Sequence, residues 1–203
     1  MSQPTAALTP GFAHPVHDAQ RTFRAVLEAM ARPLTPQPLG VPLTPPAPLT
    51  AEAGVVVLTL CDEQTPLWLD EALRGSTEVT TWIRFHTGAP LVDDAAQALF
   101  CLASSPHSAP PLDTLNLGTD QEPHHSATVI IEAAEGAEGS CTAAGPGIRE
   151  SLTWNGAGLP PRFLKDRQRL TEAFPRGVDL LFLTPGAVSG LPRTTRLSLI
   201  GDI

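Results

Sequence analysis

The stretch Ala51-Glu52-Ala53-Gly54-Val55-Val56-Val57-Leu58-Thr59-Leu60, followed by Asp62-Glu63-Gln64-Thr65-Pro66 and then Leu67-Trp68-Leu69, decides how the rest of the chain is read. Periodicity leaves the first segment open. Three consecutive valines favour a strand, whereas the length of the segment favours a buried helix. Taken as a helix, it is followed by polar turn chemistry and by a short strand opening at Leu67.

Toward the N-terminus, residues 1–15 carry Pro4, Pro10, Gly11 and Pro15 and no apolar period, which predicts an irregular arm. From Val16 onward, Ala19, Phe23, Val26, Leu27 and Met30 fall on one side of a helical wheel and Gln20, Arg21, Arg24 and Glu28 on the other. This predicts an amphipathic helix of about four turns, with the apolar set facing the core. Asp18 would accept amide protons at its start and Pro33 would stop it. The prolines at 33, 36, 38, 42, 45, 46 and 48 remove too many amide donors for a central strand. An extended crossing, with at most an edge strand over 39–43, is expected there.

Toward the C-terminus, the patterning predicts a short helix over 76–82 and a buried strand over 83–86, ended by Gly88 and Pro90. Further strands are expected over 98–102, 128–132, 140–144, 178–183 and 194–199. Helices are expected over 112–117 and 160–173. Strands alternating with helices indicate an α/β fold with a mixed sheet, here as one domain over 16–203.

Composition narrows the function. Thirteen basic against 21 acidic residues give a net charge of −8, which repels a phosphate backbone and argues against nucleic acid as a partner. The one lysine, Lys165, lies near Arg162, Arg167 and Arg169, and these arginines read as one solvated helix face. No apolar run approaches the roughly 20 residues needed to span a bilayer. No basic, cleavable leader is visible either, so a cytoplasmic location is expected. Cys61, Cys101 and Cys141 stand too far apart for a paired-ligand motif and read as small buried hydrophobes.

Two clusters could carry chemistry. On a regular strand Arg84 and His86 would share a face, with Thr87 and the Gly88 turn beside them, and this combination suits an anion. Arg193-Thr194-Thr195, after Gly190 and Pro192, offers another cation with hydroxyls. Both sets have a structural reading as well: loop or interface contacts for Arg84 and His86, and a bidentate pair of Arg193 with Asp179 or Glu172. Other candidates are weaker. His14, His17 and Asp18, or His124-His125, lack the company of a zinc site. Gly145-Pro146-Gly147 lacks phosphate-loop spacing. No serine sits in a nucleophile elbow. No metal is assigned.

Arg84-Phe85-His86-Thr87-Gly88-Ala89-Pro90-Leu91-Val92 and Leu191-Pro192-Arg193-Thr194-Thr195 occur in order with Asp18-Ala19-Gln20, Thr65-Pro66-Leu67-Trp68-Leu69 and Phe174-Pro175-Arg176-Gly177-Val178-Asp179-Leu180. In these motifs the chain resembles the PhnH family of the bacterial carbon-phosphorus lyase system, from about Gly11 to Thr195. The resemblance implies a three-layer α/β/α sandwich similar to a pyridoxal-phosphate transferase domain without the cofactor, and it too favours a helix over 51–60. Lys165, on the polar side of a helix, lacks the burial that would activate a Schiff-base lysine. The family usually has glycine where this chain has Leu34, so the turn after the first helix is expected to be built differently.

The resemblance also implies a subunit acting with PhnG, PhnI and PhnJ in alkylphosphonate breakdown. There the adenine of ATP is displaced to give a ribose 1-phosphonate triphosphate, before a radical iron-sulfur step cleaves the carbon-phosphorus bond. The clustered cysteines of that step are missing here, so it belongs to a partner. An assembly role follows, with homodimer formation when the chain is alone. The alternative is that Arg84, His86 and Arg193 contribute directly to a phosphonate or nucleotide site.

Overall fold

Thr50 resolves the ambiguity of the valine-rich segment. Its Oγ1 accepts the Ala53 amide at 3.2 Å, and helix α2 (Ala51–Leu60) follows with Ala53, Gly54 and the three valines buried. The capping bond commits the backbone to helix before the β-branched residues are reached.

The computed structural model describes residues 8–133, 141–160 and 162–199. Before α2 come α1 (Pro15–Ala31) and β1 (Gln37–Pro38). After it come β2 (Leu67–Leu69), α3 (Glu71–Arg74), α4 (Thr77–Thr87), β3 (Leu91–Val92), β4 (Phe100–Ala103), β5 (Thr128–Glu132), β6 (Cys141–Ala144), β7 (Leu152–Trp154), α5 (Arg162–Glu172), β8 (Asp179–Thr184), β9 (Ala187–Leu191) and β10 (Arg196–Leu199). A seven-stranded sheet has the order β1-β9-β8-β5-β4-β2-β3. Its strands from β8 to β3 run parallel, while β9 is antiparallel to β8 and β1 to β9. The mixed sheet is therefore confirmed. A second, antiparallel sheet has the order β10-β6-β7.

Strand alternation divides the interior in two. Leu67, Leu102, Ile130 and Leu181 face α1, α2 and α4. Cys101, Val129, Ile131 and Phe182 face α5 and the small sheet. Burial on both faces accounts for the continuous apolar runs of the parallel strands.

Several expectations are corrected. The strand expected over 83–86 is the end of α4, an eleven-residue helix framed by Ser76, whose Oγ accepts the Val79 amide at 3.3 Å, and by left-handed Gly88. Val79, Trp82 and Ile83 are buried, so helical spacing toward the core overrides the β-branched local composition. The edge strand lies at Gln37–Pro38 rather than over 39–43, and the helix over 112–117 is a single 3-10 turn at Leu112–Thr114.

Helix α1 forms as expected but is rotated. Asp18, Thr22, Ala25, Val26 and Ala29 are buried, while Phe23 and Leu27 are exposed. The cause is a close approach: a Cβ on Gly190 of β9 would lie 2.6 Å from the Ala29 carbonyl oxygen. Only small side chains fit at that seam, so the bulky ones point outward. The Leu34 turn keeps the left-handed backbone (φ 61°) that glycine favours, with leucine in it. The side chain is buried in the α5-side core, which offsets the strain.

Candidate functional site

The motif residues of α4 separate on folding. Two residues apart on a helix, Arg84 and His86 point in different directions. His86 Nε2 lies 3.1 Å from the Thr9 carbonyl oxygen, which also accepts the Trp82 indole N–H at 2.8 Å. A carbonyl can only accept, so in this contact His86 carries its proton on Nε2. Its ring packs on Trp82 with centroids 4.8 Å apart. Thr87 donates its hydroxyl to the Ile83 carbonyl and accepts the Ala89 amide. His86 and Thr87 thus hold the segment preceding α1 and the turn after α4.

Arg84 is exposed and lines a cavity of about 220 Å³ with Leu69, Arg74, Thr80, Leu91, Val92 and Asp93. The cavity lies at the β3 edge of the sheet, beside the carboxyl ends of β2 and β3.

Arg193 lies elsewhere, at the amino ends of β5 and β8. Its backbone amide donates to Asp179 Oδ1 at 2.6 Å and its guanidinium to Oδ2. The remaining guanidinium protons go to Ser126 Oγ and the Pro123 and Pro175 carbonyls. Of the two partners considered from sequence, Asp179 is the one found. Thr195 is fully buried, its amide bonded to the Pro192 carbonyl, and Thr194 lies in the same turn. The two motif arginines therefore stand apart, Arg84 on helix α4 at the carboxyl ends of β2 and β3 and Arg193 in the turn between β9 and β10 at the amino ends of β5 and β8, and share no cavity.

Arg167 corrects another expectation. It is 1% exposed rather than part of a solvated face, and donates to the carbonyls of Val178, Pro192 and Thr195. Burial brings its pKa down to about 10 despite the nearby Asp179 carboxylate. Its helical spacing with Phe163 and Leu170 was the available signal. Lys165, Arg162 and Arg169 are exposed as expected.

Sequence reasoning missed the carboxyl edge of the parallel strands, where open α/β sheets place their ligands. Asp70, just past β2, is buried and accepts the Leu73 amide at 3.0 Å, the Ser104 amide at 2.7 Å and the hydroxyls of Ser104 and Ser108, each at 2.6 Å. Burial alone would raise its pKa, but these bonds outweigh it and hold the value below the usual carboxylate range. The signal was Asp-Glu-Ala-Leu directly after a strand, a helix cap.

Nearby, Thr50, Glu52, Glu132 and Thr184 line a cavity of about 230 Å³. Burial pushes the Glu132 carboxyl up, and the charges of Asp70 and Glu52 add to this against the hydrogen bond from Thr50. Among the described residues no group of three histidine, cysteine or acidic side chains is placed to hold a metal. Asp18, beside His14 and His17, accepts the His14 amide and pairs with Arg21. The His124 and His125 rings touch at a tilt of 59°, with centroids 4.2 Å apart.

Comparison with known proteins agrees with the order of the motifs. The family described as bacterial phosphonate metabolism protein (PhnH) matches residues 10–198. The alpha-D-ribose 1-methylphosphonate 5-triphosphate synthase subunit PhnH of Rhizobium meliloti (strain 1021) is 40% identical over 188 residues, covering 92% of this chain and 93% of that protein. The putative C-P lyase subunit protein HtxG of Stutzerimonas stutzeri is 35% identical over 89 residues, 43% of this chain and 46% of that one. A match that runs through the whole α/β fold, from before α1 into β10, means that the chain belongs to the PhnH family of bacterial phosphonate-metabolism proteins.

Proposed function

We propose that this chain is a non-autonomous subunit of an alpha-D-ribose 1-methylphosphonate 5-triphosphate synthase, acting before carbon-phosphorus bond cleavage in alkylphosphonate catabolism. It works as a docking scaffold in the cytoplasm, with PhnG, PhnI and PhnJ as partners, and pairs with a second copy when isolated. The observation that carries this is the 40% identity to the Rhizobium subunit across 92% of the chain.

The surface supports a docking role. Val16, Phe23 and Leu27, at positions that share one side of α1, are 68%, 47% and 53% exposed. Large apolar groups gathered on one helix face mark contact surfaces more often than scattered ones do. On the family resemblance, the layering is that of a pyridoxal-phosphate transferase domain serving without its cofactor. Lys165, exposed on α5, is not desolvated as a Schiff-base lysine would be. No described helix is long and apolar enough to cross a membrane.

Co-expression with the three sister subunits, affinity purification and mass measurement test the reading. The expected result is one assembly containing all four chains, lost in the double variant Phe23→Asp, Leu27→Asp while that variant still folds alone. Purification free of every sister, or phosphonate-dependent growth that survives deletion of this chain, would refute it.

A further inference from the structure

We propose that the cavity between α4 and the β2–β3 edge binds a small tetrahedral oxyanion, a phosphate or phosphonate group, held between Arg84 and Arg74. Its volume of about 220 Å³ lies below the roughly 300–1,000 Å³ that hold drug-sized ligands, so it takes one such group rather than a whole nucleotide.

Arg74 is already positioned. Its Nη2 donates to the carbonyls of Leu69 at 3.2 Å and Val92 at 3.1 Å, and its guanidinium carbon lies 5.9 Å from the centre of the Trp68 ring. Held at this many points, the side chain has little rotamer freedom left to lose when a ligand arrives. Its Nη1 donates to Asp93 Oδ1 at 2.7 Å, and that carboxylate is 98% exposed. An anionic oxygen therefore already sits on the open edge of this guanidinium, and Asp93 can swing into water when a stronger anion arrives. An ion pair so exposed gains little from Coulomb attraction and resists displacement weakly.

Arg84 lines the same cavity from α4 and makes no ion pair or side-chain hydrogen bond among the described residues. Arg21, Arg32, Arg176 and Arg193 each have a carboxylate partner in this acidic chain. Arg84, like Arg24 and Arg169, has none among the described residues, but it alone of these three lines the cavity beside a second guanidinium whose partner is replaceable. With Asp93 turned away the cavity presents two guanidiniums, whose planar donors match the oxygens of a phosphoryl or phosphonyl group.

This inference does not depend on the subunit reading, because the isolated chain contains the whole cavity. Isothermal titration calorimetry of the purified protein with inorganic phosphate, methylphosphonate and ATP tests it. Phosphate and methylphosphonate are expected to bind saturably. Arg84→Gln is expected to weaken both about tenfold or more, a factor worth about 1.4 kcal/mol. Asp93→Ala, which removes the competing carboxylate, strengthens binding, and Arg169→Gln on the exposed side of α5 leaves it unchanged. ATP binding that also depends on Arg84 identifies a nucleotide phosphate as the source, whereas indifference of ATP with a response of the small anions identifies a free oxyanion. Absence of saturable binding by all three, or equal affinities in Arg84→Gln and the parent chain, overturns the proposal, as does equal weakening by Arg169→Gln.

Discussion

The Asp179 carboxylate receives both the backbone amide and the guanidinium of Arg193, and it is also the acid whose charge reaches buried Arg167. One carboxylate thus serves two cations where β8 begins and β9 turns toward β10. Asp179→Ala is expected to cost about 3–5 kcal/mol, since it leaves buried positive charge uncompensated. Arg169→Ala on exposed α5 should stay within about 0.5 kcal/mol of the parent. Urea midpoints measured on the two variants distinguish these outcomes.

Leu34 reverses a familiar order of substitutions. Glycine normally destabilises more than alanine, but at φ 61° an L-residue bears a penalty of about 1–2 kcal/mol that glycine avoids. Both Leu34→Ala and Leu34→Gly lose core packing, worth about 2–5 kcal/mol in buried leucines. Leu34→Gly should nonetheless be the more stable of the two by about 1 kcal/mol, read from thermal or urea unfolding.

Glu132 carries a pH signature. Its folded pKa is raised, by burial first and then by Asp70 and Glu52. Its contribution to stability is therefore complete below the unfolded carboxylate value of about 4.3 and is lost as the pH climbs through the raised folded value. Glu132→Gln keeps an oxygen for the Thr50 hydroxyl and removes the charge. It should raise the melting temperature at pH 7, with the advantage fading as the pH is lowered toward 4. A constant offset across that range would contradict the account.

All three cysteines are free and buried, and burial pushes the Cys61 and Cys101 thiols up to about 12. At pH 8 such thiols hold only about 10⁻⁴ of their population as thiolate, the reactive form. A chromogenic disulfide reagent should therefore label the native protein very slowly and modify three thiols promptly in denaturant. Fast labelling of the native chain would show that these sites open to solvent.

Elements with caps and length were legible in the sequence, whereas facing was not. The 128–132 strand matches because its signal is local, a β-branched run between turns, whereas the helix over 51–60 was read from its length and the family resemblance, and the Thr50 cap that secures it went unread. The end of α4 misled because Ile83 and Phe85 have strand-like composition. Ser76 and Gly88, both visible, frame eleven residues as helix. The rotation of α1 was hidden for a different reason. It depends on contact with Gly190, some 160 residues away in the chain, and no window of the sequence contains both partners. The Arg84 cavity was half legible: the motif named one guanidinium, but Arg74 arrives from a four-residue helix that drew no notice.

The bare backbone seam between α1 and Gly190 separates two evolutionary freedoms. Because the helix is seated by its main chain and small residues, its outward phenylalanine and leucine owe nothing to the interior. A lineage could redraw that rim to suit an altered associate without retuning the fold beneath it, whereas any change at the glycine would unseat the whole helix.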